Sequence, residues 1–273
     1  MFFKFEQGSL YYEIYGQNNK ATLVFFHGVA MNHETFEFQI IELEKYYQVI
    51  VIDLPNHGQS SHLDTDIPYS KKCADIAVSL LNHLKIDKAI LVGQSLGSFI
   101  VQHIAHSYPK KVIATIHIGG AGLYPKSSFF LKSLIPFIKP LITLIPSKQM
   151  FTMFAEHKAL QEHTKKYLKK VSTQTGKNVI VHITKDMLRD MVEGIPTPIQ
   201  QPTLIIFGDH EASFVKKMSI KFNDTLKNSN LIIIKDAHHI ANQDNSTEFN
   251  RELIAFSEEV IKQNKNINTR QQL

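Results

Sequence analysis

One cysteine, Cys73, stands in 273 residues, so no disulfide can form within the chain and a cysteine-rich zinc site is excluded. A lone cysteine of this kind is expected as a small buried apolar residue. No run of about eighteen apolar residues, the least a transmembrane helix needs, occurs anywhere. The opening Met1 to Gly8 lacks the apolar core and small-residue cleavage site of a secretory signal, so a cytoplasmic protein is expected. Charge of one sign is also scarce. The formal net charge is +5, too mild to imply nucleic acid, and no nucleic-acid motif accompanies it.

What is present suits one large α/β domain, or one domain with an insertion. Hydrophobic residues make up 43% of the chain, enough for a sizeable core. Two strands are expected at the start, Phe2 to Glu6 and Leu10 to Tyr15, joined by a Gln7-Gly8-Ser9 turn. Short apolar runs follow at Thr22 to Phe26, Val49 to Ile52, Ala89 to Val92 and Val112 to Ile118. Runs that are apolar throughout predict strands buried on both faces of a parallel sheet. Helical stretches between them predict a doubly wound α/β architecture.

The alternation breaks near Gly122. From Leu123 to Pro198 the chain is lysine-rich, interrupted by Pro125, Pro136, Pro140 and Pro146, and without clear buried strands. It reads as a helical insertion over the sheet. Between Leu123 and Gln200 twelve Lys/Arg face five Asp/Glu, so a basic segment accompanies a nearly neutral remainder. Its apolar stretch Phe129 to Lys139 places Lys132 and Lys139 seven residues apart, on one side of a helix if Pro136 permits one. Phe129, Phe130, Phe137, Phe151 and Phe154 supply aromatics. Three readings stay open: a cap lining an acyl pocket, a cap whose lysines also attract an acidic substrate or make weak contact with anionic lipid, and an ordinary amphipathic packing helix. Strands resume at Thr203 to Phe207 and Leu231 to Ile234. A last helix is expected from Ser246 to Ile261, with a frayed polar tail after Lys262.

Chemistry gathers at the strand ends, where open α/β sheets bind ligands. Residues 91–97 read Leu-Val-Gly-Gln-Ser-Leu-Gly, a strand end followed by Gly-x-Ser-x-Gly and then a helical run from Phe99 to His106. A tight strand-to-helix turn lifts a serine out of the packing and sets it at a helix N-terminus, which favours developing negative charge. Ser95 is therefore the candidate nucleophile; a merely capping serine is the alternative. After Thr22 to Phe26 comes His27-Gly28-Val29-Ala30. Gly28 permits a turn that exposes the Val29 amide, which with the Leu96 amide would make a two-donor oxyanion hole. The His27 side chain is expected to hold backbone. The loop Asp53 to Ser60 is expected to be structural, with Asp53 and Ser60 fixing it by local hydrogen bonds.

Gly208-Asp209-His210-Glu211 ends one late strand, and Asp236-Ala237-His238-His239-Ile240-Ala241-Asn242 follows the next. A serine hydrolase needs a histidine base and a carboxylate to orient it, and both arrive here in the order serine, acid, histidine. On these residues the chain resembles the α/β-hydrolase superfamily, and within it the small capped serine esterases. The resemblance covers nearly the whole chain and is weakest from Leu123 to Pro198, where such proteins carry variable caps. It implies a mostly parallel sheet flanked by helices. It divides the chain into a core of 1–122 and 199–273 and a helical cap of 123–198. It further implies Glu211, three residues after Gly208, as the acid, with Asp209 the competitor. His239 fits the base better than His238. Asn56 departs from the usual glycine, and asparagine also tolerates left-handed geometry.

The activity so implied is cleavage of a carboxylic ester or related acyl bond on a small-molecule substrate, without metal or cofactor. The same triad serves C–C, thioester and peptide hydrolysis, and a non-catalytic ligand-binding protein is a reading from another class. Epoxide and haloalkane hydrolases of this fold use a carboxylate nucleophile, whereas position 95 holds serine. Oligomeric state is not legible.

Overall fold

A computed structural model describes residues 1–17, 19, 21–125, 136, 140 and 142–270, with side chains described to residue 266. The stretch Phe129 to Lys139, including Lys132, Lys139, Phe129, Phe130 and Phe137, lies outside the described residues apart from Pro136. Its three open readings therefore stay as they were.

Eight strands form one sheet in the order β1-β2-β4-β3-β5-β6-β7-β8. They are β1 (Phe2–Phe5), β2 (Gly8–Tyr15), β3 (Thr22–Phe26), β4 (Gln48–Ile52), β5 (Ala89–Gln94), β6 (Val112–Ile118), β7 (Thr203–Gly208) and β8 (Ser229–Ile234). β1 and β2 pair antiparallel, β2 joins β4 antiparallel, and every later pairing is parallel. The expected runs thus became strands, and the central ones are apolar enough to be covered on both sides, while β1, β2 and β8 stay partly exposed. All five residues of β3 and all six of β5 and β7 are buried.

The side-chain alternation of a strand divides the core into two layers. Val24 and Phe26 of β3 point to one layer with α2 (Tyr69–His83) and α3 (Leu96–Ser107). Leu23 and Phe25 point to the other, covered by α1 (Glu37–Leu43) and the C-terminal helix. Cys73 is a buried free thiol on α2, as expected of it. Between β6 and β7 lie α4 (Ser147–Glu156), α5 (Glu162–Thr175) and α6 (Lys177–Glu193). Phe151, Ile180, Ile183 and Met191 from this segment join the α2–α3 layer. After β7 come α7 (Ser213–Asp224), the single turn α8 (Ala241–Asp244) and α9 (Ser246–Arg270).

The end of α9 corrects one expectation. The tail after Lys262 is not frayed coil; the helix runs on to Arg270. Polar composition alone does not stop a helix, and no glycine or proline interrupts residues 246–270. Among the described residues, no helix is long and apolar enough to cross a membrane.

Phe249, Leu253, Phe256 and Val260 repeat at helical spacing along α9 and are buried against the sheet. Phe249 is fully buried at the start of that stripe. Phe249→Ala should destabilise the fold by about 3–5 kcal/mol. Urea unfolding followed by circular dichroism measures it, and a loss under 1 kcal/mol (roughly one buried methylene) would show that α9 is not a principal wall of this layer.

Candidate active site

β5 runs out at Gln94, and α3 begins two residues later. Ser95 between them takes φ +51° and ψ −108°. A side chain in this region costs of order 1–3 kcal/mol and persists only where the surroundings enforce it. Here they do. A Cβ on Gly97 would sit 2.0 Å from the Phe26 carbonyl oxygen, and one on Gly93 would sit 2.4 Å from the Gly97 carbonyl oxygen. The two glycines let the first turn of α3 press onto β3 and β5. The Ser95 amide is spent on the Ile118 carbonyl (2.8 Å), so the turn is pinned to β6 as well. The serine is left partly exposed above the strand ends.

The His27–Ala30 segment crosses beside it. His27, fully buried, keeps one proton on Nδ1 and donates it to the Gly28 carbonyl (2.8 Å), while Nε2 accepts from the Leu54 amide (2.9 Å). His57 mirrors it: Nδ1 donates to the Pro55 carbonyl (3.1 Å) and Nε2 accepts from the Ala30 amide (3.1 Å). Burial drives both imidazoles down, to about 4 for His27 and about 3 for His57, so both stay neutral and keep these tautomers. The side chain of His27 therefore holds backbone, as expected. Neither the Val29 nor the Leu96 amide has a hydrogen-bond partner among the described residues. Leu96 is the first residue of α3, whose N–H has no intrahelical acceptor.

The Asp53 to Ser60 loop is structural in the way foreseen. Asp53 Oδ1 accepts from the His33 amide and from His33 Nδ1, and Oδ2 accepts from the Gln59 amide. Burial, the largest single influence, would raise this carboxyl, but the His33 hydrogen bond, the nearby His27 and His33 and the Gln59 amide together hold Asp53 below its ordinary value. Ser60 Oγ donates to the Asp53 carbonyl. Asn56 does adopt left-handed geometry (φ +68°), and its side chain bonds both backbone groups of Leu63.

Of the two acidic candidates, Glu211 contacts the histidine and Asp209 does not. Glu211 Oε2 lies 2.6 Å from His239 Nδ1, and Glu211 Oε1 accepts from the Ala212 amide (2.8 Å). Asp209 Oδ1 turns away to His210 Nδ1 and the Ala237 amide. His238 Nδ1 accepts from the His239 amide instead of facing Ser95. Burial is the larger influence on His239 and lowers it; the Lys158 charge lowers it further, against the opposing pull of Glu211. Burial, the largest single influence, raises Glu211, but His239, the Ala212 amide and the Lys158 charge together leave the carboxyl below its ordinary value. The pair is thus a carboxylate and a neutral imidazole near pH 7, with the imidazole proton on Nδ1 and Nε2 free to accept.

Ser95 and His239 line one cavity of about 350 Å³, together with Val29, Lys158 and four methionines, Met31, Met150, Met153 and Met187. Ser95 Oγ makes no hydrogen bond to His239 among the described contacts; the two meet across this shared space. Such contacts are often loose before substrate binds. Met31 also borders a neighbouring cavity of about 440 Å³ lined by polar residues such as Asn32, Gln59 and Gln174.

Several positioning groups carry no sequence motif of their own. Asp244 accepts from the Leu160, Gln161 and His238 amides (2.9, 3.0 and 2.9 Å), clamping the α4–α5 link onto the His239 loop. Asn242 Oδ1 accepts from Gln94 Nε2 (3.0 Å), tying the same loop to the residue before Ser95. Tyr167 Oη on α5 donates to Asn32 Oδ1 (2.9 Å), next to the Val29 segment. Gly119 has φ +57°, and a Cβ there would lie 2.8 Å from His239 Nδ1 and Cε1. A glycine immediately after β6 was the one available signal; the other three depend on chain segments brought together only by folding.

A model of the α/β hydrolase fold family matches residues 21–246, and the chain belongs to that family. It is 24% identical, over 89% of its length and 92% of the relative's, to the (E)-2-((N-methylformamido)methylene)succinate hydrolase of Acinetobacter baylyi. Over a 113-residue stretch, 41% of either chain, it is 30% identical to a pimeloyl-[acyl-carrier protein] methyl ester esterase of Vibrio campbellii. Among solved structures, a thermophilic esterase from Thermogutta terrifontis (malate bound) superposes with a TM-score of 0.80 at 18% identity, covering 93% of this chain and 94% of that one. This last likeness speaks for the fold alone.

Since burial and the Lys158 charge both lower His239, its imidazole should gain a proton only below the ordinary value of 6.5. An NMR titration of the ring resonances measures this. Protonation at or above pH 6.5 would contradict the enclosed setting described here.

Proposed function

We propose that the protein is a serine hydrolase of carboxylic esters or closely related acyl bonds. The observation that carries the reading is one cavity shared by a partly exposed serine in a forced turn and a neutral histidine whose other nitrogen holds a buried carboxylate. In this reading α4–α6 act as the cap, and their methionines and Phe154 form the acyl pocket. Methionine side chains adapt readily to acyl chains of differing shape. The hydrolase and methyl ester esterase names of its relatives support the same class of reaction.

The steps follow from which atoms are free. Ser95 Oγ attacks the ester carbonyl carbon as its proton passes to His239 Nε2. The carbonyl oxygen takes the electron pair and is met by the Val29 and Leu96 amides, which no other group among the described residues uses. Glu211 keeps the ring oriented and stabilises the imidazolium while it exists. His239 then returns the proton to the departing alkoxide, and an acyl-serine remains. Water attacks that ester, again giving its proton to His239. The second tetrahedral intermediate collapses, and Ser95 Oγ recovers its proton as the carboxylic acid leaves.

Ser95→Ala should lower kcat on short methyl or p-nitrophenyl esters by about 10⁴-fold or more. A clean preparation of the variant with wild-type turnover would overturn the mechanism. Glu211→Gln should cost about 10²–10⁴-fold, because an amide can force the wrong imidazole tautomer. Asp209→Asn should cost less than tenfold, roughly the range of a displaced loop contact. Equal losses in the two variants, compared by kcat at saturating ester, would remove Glu211 from its assigned role.

A further inference from the structure

The cavity holds a cation that the hydrolytic steps above do not use. Lys158 follows α4 and lines the same space as Ser95 and His239. Its backbone is fixed: its carbonyl accepts from the Ile240 amide (3.2 Å), and Asp244 clamps the Leu160 and Gln161 amides just beyond it. Its ammonium, by contrast, is uncommitted. Among the described residues it makes no ion pair within 4.0 Å and no hydrogen bond. The carboxylate that acts on it most, Glu211, is already engaged by His239 and the Ala212 amide. Burial lowers the lysine from its ordinary value, with Glu211 opposing.

A partly buried ammonium with no counterion in contact loses hydration and recovers only part of it from a carboxylate engaged elsewhere. Elsewhere on this chain lysines that meet carboxylates do so at the surface, as Lys45 does with Glu42 and Lys170 with Glu34. An apolar chamber with one unanswered positive charge is complementary to a ligand that is apolar along its length and anionic at one end. We propose that Lys158 reads an ionised carboxylate on the acyl part of the substrate, so that the site takes monoesters of aliphatic dicarboxylic acids in preference to neutral esters. The proposal rests on the hydrolase reading and deepens it. The ester carbonyl sits at Ser95 while the distal carboxylate takes the place of the missing counterion. A neutral acyl chain of equal length leaves that charge unanswered, and the discrimination is large because the penalty falls on a desolvated group.

The test compares matched pairs by methanol release: monomethyl succinate against methyl butyrate, monomethyl glutarate against methyl pentanoate, monomethyl adipate against methyl hexanoate. For the wild type, the kcat/KM ratio of half-ester to neutral ester should exceed about tenfold at one chain length. Lys158→Met should reduce that ratio at least about tenfold, and Lys158→Arg should retain most of it. A wild-type ratio at or below one for every pair overturns the proposal, as does a ratio unchanged in Lys158→Met. A parallel loss on both series in Lys158→Met leaves the ratio fixed, so it also overturns the proposal. Should Lys158→Met fail to fold, the wild-type ratio and the Lys158→Arg ratio decide. Ser95-dependent cleavage of the neutral series without preference for the half-esters leaves the hydrolase reading standing and removes Lys158 from recognition. No Ser95-dependent cleavage of any ester removes both.

Discussion

The close approach of α3 to β3 is the contact on which the rest of the site depends. It is possible because residues 93 and 97 have no side chains. A helix normally stands off a sheet by the thickness of its side chains; here its first turn touches backbone. That approach drives Ser95 into left-handed geometry and aims the free Leu96 amide at the strand ends. The strain is small beside the burial of α3, whose residues Leu96 to Ala105 are all enclosed. A tightly packed helix can therefore hold one unfavourable residue indefinitely. Around this turn the other pieces are tied by hydrogen bonds as well as by packing. Gln94 holds Asn242, and His57 holds the Ala30 amide. The result is a rigid floor assembled from segments more than 200 residues apart in the chain.

Much of this was legible in the chain itself, and the reason is burial on both faces. β3, β5, β6 and β7 are mostly apolar because helices cover both sides, so their positions could be read to within a residue or two. The serine turn was readable because steric necessity leaves glycines behind. The acidic pair was harder. Gly208 is followed by both Asp209 and Glu211, and only the path of the chain decides which one faces His239. A Cβ at position 208 would strike the Ala237 carbonyl oxygen at 2.1 Å, so the two loops cross there. That crossing sends Asp209 to the Ala237 amide and His210. Nothing local to either residue encodes it.

What the chain did not disclose is the set of groups that act across segments. Asp244 lies on a single helical turn and looks like an ordinary surface carboxylate; folding buries it under three amides. Lys158 was one lysine among eleven in a basic stretch. Its distinction is the direction its segment takes, which Asp244 and Ile240 impose. Polar composition misled in the opposite sense at the C-terminus, where residues after Lys262 continue α9. Helix ends follow from stop signals more than from polarity, and none is present there.

The electrostatic arrangement links these observations. Burial lowers the basicity of His239 and raises the proton affinity of Glu211, and the hydrogen bond between them opposes both effects. The pair therefore remains a neutral base beside an ionised acid, the combination that proton abstraction from serine requires. Lys158 adds a positive charge that stabilises Glu211 as a carboxylate and disfavours a second proton on His239. An anion bound at Lys158 would cancel part of that field at the imidazole. The histidine would then become a stronger base only once an acidic substrate had entered. On the proposed reading, recognition and base strength would be coupled through a single lysine, held by a segment that contributes no member of the Ser95, Glu211 and His239 set. Changes in that segment could redirect substrate choice while the floor that holds the serine and histidine stays as it is.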